Sequence, residues 1–147
     1  MAYLRATLKT FLNADAALIA LLPGGVLDTD ELPEGASSIQ DVPHIGPVVT
    51  PFAMLRWRGA TPKEVVSLTE RRSVEIYFYQ HRGYATIERA KRRVKTILER
   101  TMLPADDAGI AMFHWAHDTG EFPADELGRA SADMSRYYVD YVVVQES

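Results

Sequence analysis

Apolar residues recur along this chain with two different periods, and the switches between them lay out its elements. Residues 2–22 carry Leu4, Leu8, Phe11 and Leu12 on one stripe at helical spacing, with Arg5 and Lys9 off it. Asn13 and Asp15 interrupt that run, and Asp15 is placed to cap a second short helix through Leu18, Ile19 and Leu22. Pro23-Gly24-Gly25 then stops helix formation. From Phe52 the period falls to two: Phe52, Met54 and Arg56 alternate with Ala53, Leu55 and Trp57, as in a strand. Residues 61–67 open with the capping-box form Thr61-Pro62-Lys63-Glu64 but are short and β-branched, and read as a turn. A second strand spans residues 68–80, with Val74, Ile76 and Phe78 on one side and Glu75, Tyr77 and Tyr79 on the other. Residues 84–101 form a clear amphipathic helix along Tyr84, Ile87, Ala90, Val94, Ile97 and Leu98, closed by Pro104. Strands at 110–117 and 136–145 follow, separated by a polar connection over 121–135 that contains Pro123 and Gly128.

The order helix, strand pair, helix, strand pair predicts an α+β fold, an antiparallel or mixed sheet of about four strands with two main helices packed on one face. At 147 residues the chain is sized for one domain. The opposite sheet face carries Tyr77 and Tyr79, a candidate subunit interface, since tyrosine joins a large apolar area to a polar tip. Residues 28–50 break both periods. They hold five acids (Asp28, Asp30, Glu31, Glu34, Asp41), several Pro and Gly, and no Lys or Arg, and read as a surface loop or an arm that orders against a neighbour.

Composition adds limits. The apolar content of 47% and charged content of 24% are those of an ordinary globular chain. Without cysteine there is no disulfide framework and no thiolate metal site. No apolar run approaches the ~20 residues needed to cross a bilayer, so no membrane role is expected. The N-terminus lacks the basic segment, apolar stretch and cleavage site of a signal peptide, and reads as untargeted. A net charge of −4 argues against non-specific DNA binding by the molecule as a whole. Charge is unevenly spread, however. Nine of the sixteen Lys and Arg residues lie between Arg71 and Arg100. A basic helix face with Arg89, Arg92 and Arg93, and an acidic segment with Asp28, Asp30 and Glu31, make two complementary patches suited to head-to-tail contact. A solvated helix face and a phosphate-binding surface are the competing readings.

Candidate chemistry is thin, and no catalytic, cofactor-binding or metal-ligating residue is expected. His114 and His117 are three apart on a strand, which ordinarily sends them to opposite faces. Ser73 has no evident base, Gly24-Gly25 follows a helix instead of opening one, and Asp118, Glu121, Asp125 and Glu126 fall in an irregular loop. A small binding module of another kind and a small metal-dependent hydrolase built on the two histidines are the alternatives to a self-assembling structural protein.

The runs Asp15–Leu27 and Leu32–Ala36 resemble the opening of tail terminator and tail completion proteins of long-tailed bacteriophages, where a short helical segment enters a small-residue turn and a Pro-rich stretch leads to a strand. The middle, Ser73–Gln80 followed by the helix Ile87–Leu98, is similar too, as is the closing strand Ser135–Val144. The resemblance rests on element order across most of the chain and matches no invariant motif. It implies a virion protein, made in the host cytoplasm, that forms a homo-oligomeric ring, usually of six copies. The ring caps the tail tube, binds tail tube protein on one side, and offers the head connector or stopper a docking surface on the other, with DNA at most passing through. A head–tail connector or neck protein is the close variant. Residues 39–50 look longer than the corresponding link in those proteins.

Overall fold

The computed structural model describes residues 2–29, 38–58, 61–62, 69–99, 101–104 and 109–143. Helix α1 spans Ala2–Asn13 and α2 spans Ala16–Leu21. Asp15 separates them, its carboxylate accepting the Leu18 N–H at 2.9 Å as the cap of α2. Asn13 ties this corner to the sheet, its amide donating to the Val26 carbonyl and its Oδ1 accepting the Val26 N–H. The third helix, α3, covers Ala85–Leu98. The strands are β1 (Val26–Asp28), β2 (His44–Ile45), β3 (Val48–Val49), β4 (Phe52–Trp57), β5 (Thr61–Pro62), β6 (Thr69–His81), β7 (Met102–Pro104), β8 (Gly109–Asp118), β9 (Phe122–Ala124) and β10 (Ala130–Val143).

Among the described residues, eight of these strands join one sheet in the order β1-β4-β6-β10-β8-β7, with β5 pairing β6 and β9 pairing β10. Among the described pairs only β1–β4 is parallel. The β2–β3 hairpin stands apart. The expectation of a four-stranded α+β fold with two main helices is thus corrected: the chain is mostly β, and its described residues hold twice that number of strands in the sheet and three short helices. Four of the missing strands (β1, β5, β7, β9) are two or three residues long, too short for a period of two to register in sequence. The remaining error is in β10, which starts six residues before Arg136.

Two apolar clusters explain that early start. The larger lies between the sheet and the helices, where Leu4, Leu8 and Leu12 of α1, Leu18 of α2, and Ile87, Ala90, Val94 and Leu98 of α3 meet Leu55, Val74, Ile76, Phe78, Phe113, Tyr137 and Val139. A smaller cluster forms on the far face from Val42, Val49, Phe52, Ala124, Leu127, Ala130 and Ala132. Residues 130–135 of β10 are consequently buried on both faces. The small residues Ala130, Ser131, Ala132 and Ser135 fit that space, and a strand buried on both sides loses the inside–outside alternation by which strands are recognised. The far-face cluster is roofed partly by residues 38–50, which hold a 3-10 turn (Ile39–Asp41) and the β2–β3 hairpin. The loop closes tightly: a Cβ on Gly128 (φ +70°) would stand 2.8 Å from Ile39 Cδ1 and 3.0 Å from the Pro47 carbonyl oxygen.

Candidate assembly face

Directly paired residues in neighbouring strands project from the same side of a sheet, so the register writes out the far face in rows. Phe52, Tyr79 and Ala132 form one row, and Met54, Tyr77 and Met134 the next. Arg56, Glu75, Arg136 and His117 follow, then Ser73, Tyr138 and His114, then Arg71, Asp140 and Met112. Across about 27 Å, at ~4.8 Å between strands and ~6.8 Å between rows, the face passes from apolar and roofed to charged and open.

The charged end is ordered by two carboxylates. Glu75 is 2% exposed, yet it accepts Arg58 Nε at 2.8 Å and Arg136 Nη2 at 2.7 Å. Burial alone would raise its pKa. The guanidiniums of Arg136 and Arg58 outweigh that and hold its carboxyl below the ordinary range. Asp140, 4% exposed, accepts Arg71 Nε at 2.9 Å and Nη2 at 3.2 Å, a bidentate pair. His114 Nε2 lies 3.4 Å from the same carboxylate. The Arg71 guanidinium also sits 4.9 Å from the centre of the Tyr138 ring, in cation–π range. Two buried acids thus hold three guanidiniums in fixed positions, with Arg56, His114, His117 and Tyr138 exposed beside them. Positioned arginines around an exposed tyrosine have the chemistry of a protein contact, since both residue types are enriched where interfaces concentrate their binding energy.

The residues singled out from sequence fall in three places. Tyr77 and Tyr79 are neighbours on this far face. Tyr79 stacks on Phe52, with centroids 4.8 Å apart at 14°, and burial pushes its phenol up to about 12. Arg89, Arg92 and Arg93 stand on α3, on the other side of the sheet. Arg89 and Arg92 are exposed, whereas Arg93 forms a bidentate pair with Asp15 at 2.8 and 2.7 Å. Asp28 is 4% exposed on β1 and paired with Arg5 of α1. Asp30 and Glu31 lie outside the described residues. The helix is also less openly basic than its composition suggests. Lys91 reaches down to Asp133 at 2.6 Å, Asp118 at 3.2 Å and Glu88 at 3.2 Å, and Lys95 Nζ lies 4.1 Å from the Trp115 ring centre.

Sequence reasoning passed over Arg56, Arg58, Arg71, Arg136, Asp140 and the bonded role of Glu75. The available signal was that Arg71 and Glu75, and Arg136 and Asp140, occur at one parity of their strands. It also separated His114 from His117. A register shift between Arg136 and Tyr137 inserts one extra residue in β8, so that His114 opposes Tyr138 and His117 opposes Arg136 on a single face. Among the described residues, no three of His, Asp or Glu gather as a metal-ligand group. No described helix is long and apolar enough to cross a membrane.

No protein-family model and no curated protein matches this chain. Among solved structures it is similar to a chain described as "Virion of native gene transfer agent (GTA) particle", with a TM-score of 0.67 and 18% sequence identity over 95% of this chain and 96% of that one. At that identity the likeness is one of fold.

Proposed function

We propose that this chain is a structural virion protein of a phage-like particle and that it serves as its tail terminator. In this reading, copies close into a ring of six. One side of the ring seats on the last ring of tail tube protein and blocks further growth; the other is the docking surface for the head connector. DNA passes through the ring without being processed. The observation that carries the reading is the backbone likeness to a gene transfer agent virion chain over nearly the full length of both. The preordered arginine and tyrosine face supports it, being a surface fit for binding another protein. The resemblance in element order to tail terminators supplies the finer assignment.

Electron microscopy of the protein, alone and mixed with tail tubes and with head connectors, tests this reading. Rings at one end of the tubes are the expected result. The double variant Arg56→Glu/Tyr138→Ala should stay folded, because both side chains are exposed, and should lose end-binding. Rings bound to connectors but never to tubes would move the role to the neck. A protein that remains monomeric and binds neither would overturn the proposal.

A further inference from the structure

At the roofed end of the far face the β6–β10 ladder stops with His81 opposite Ala130. The next residue of β6 is Arg82 and the one preceding β10 is Arg129, so the two arginines face each other across the strand ends. Both are exposed. Both also adopt the left-handed backbone conformation that side chains other than Gly and Asn rarely take, at φ 49° and 63°. Neither has a carboxylate partner among the described residues. Two like charges lining one cleft repel one another, and an anion bound in that cleft relieves the repulsion. Between them opens a cleft of about 370 Å³ lined by Pro47, Val48, His81, Arg82, Gly128 and Arg129. Its hairpin side is apolar, formed by Pro47 and by Val48, which is 39% exposed. His81 also lines the cleft, and its Nδ1 is buried behind that surface without a hydrogen-bond partner.

An occupant must therefore bring acids for two guanidiniums and apolar groups for the hairpin wall. A nucleic-acid backbone supplies only the first. This chain carries both within five consecutive residues: Asp30-Glu31-Leu32-Pro33-Glu34. From those residues the chain runs on to Ser38 and Ile39, and Ile39 packs against Gly128, one residue from Arg129. The described chain thus resumes beside the receiving cleft, and each copy has both a segment to give to one neighbour and a cleft to receive from another.

We infer that the Arg82–Arg129 cleft is a docking site for the acidic segment, residues 30–34, of a second copy of this chain. The inference deepens the ring reading and rests on it only in requiring copies to meet. Extended at ~3.3 Å per residue, five residues cover about 16 Å, enough to lie across both guanidiniums and the hairpin wall.

Two measurements on the full chain decide it. First, a fluorescent peptide of residues 28–36 is titrated with the wild-type protein and with Arg82→Glu/Arg129→Glu. Affinity should fall at least about tenfold in the variant, and a peptide with its acids replaced by amides should bind no better than background. Equal binding to both proteins overturns the proposal. Second, self-association is followed by sedimentation velocity. Arg82→Glu/Arg129→Glu alone and Asp30→Lys/Glu31→Lys alone should each fail to assemble, while an equimolar mixture assembles, because every reversed segment then meets a reversed cleft. Failure of the mixture, with recovery when all four substitutions share one chain, would show a contact within the chain and sink the inter-copy site. Thermal melts confirm that each variant is folded. Wild-type rings that ignore tail tubes while the mixture behaves as expected would count against the terminator role and leave the cleft standing.

Discussion

At the scale of single residues, the far face turns on Glu75. A carboxylate that is 2% exposed and held by two arginines gives up most of its hydration, and only the pairs make that tolerable. Glu75→Gln removes the charge, keeps the shape, and leaves Arg58 and Arg136 facing an amide that cannot bind both; the expected loss is about 2–3 kcal/mol at neutral pH. The sign of the pH dependence follows from its depressed pKa. The folded state binds the proton less readily than the unfolded chain does. The stabilisation is therefore complete above the usual Glu value near 4.5 and drains away as pH falls below it. Urea denaturation of wild type and variant at pH 7, 5 and 3.5 should show the gap between them closing with acid. A gap of constant size would mean that the pairs contribute through shape alone.

At the scale of elements, legibility followed the number of buried faces. Strands β4, β6 and β8 bury chiefly one side, so their alternation placed them within a residue or two of their observed ends. Helix α3 was equally plain, because Ile87, Ala90, Val94 and Leu98 keep helical spacing. The first six residues of β10 were unreadable because a partner packs on each side of them, and the edge strands because pairing in three dimensions, not local pattern, makes them strands. Lys91 shows the same limit in a polar residue. Counted along α3 it belongs to a basic face, but its side chain is only 11% exposed and anchors the helix to the sheet through Asp133, itself 1% exposed. Lys91→Met should therefore cost about 3 kcal/mol, by leaving Asp133 buried without its cation. Adding Asp133→Asn should recover much of that loss, since the amide oxygen still accepts the Met134 N–H that Asp133 takes at 2.7 Å. Chemical denaturation of the single and double variants measures the coupling. A single variant within about 0.5 kcal/mol of wild type would return Lys91 to the solvated face its sequence position suggests.

For the whole molecule, what matters is which charges are already spent. The chain has 20 acids and 16 bases, and the sequence showed where they cluster but not which of them meet within one copy. Asp28 with Arg5, Asp15 with Arg93, and Glu75 and Asp140 with their arginines are internal and bind helices and strands to one another. Arg56, Arg82, Arg89, Arg92 and Arg129 are exposed, and in the proposed ring they are the charges left for contacts between copies. These two populations answer salt differently. Exposed charges are screened once the Debye length falls from about 10 Å at 0.1 M towards ~3 Å at 1 M, whereas buried pairs are screened much less. Raising NaCl through that range should dissociate assembled copies while leaving the melting temperature of the separated chain nearly unchanged, as read by sedimentation velocity and by thermal melts on the same samples. Should association instead strengthen with salt, the contact would have to be made by the exposed apolar groups, Ile45, Val48 and Met102, and the arginines would be bystanders to assembly.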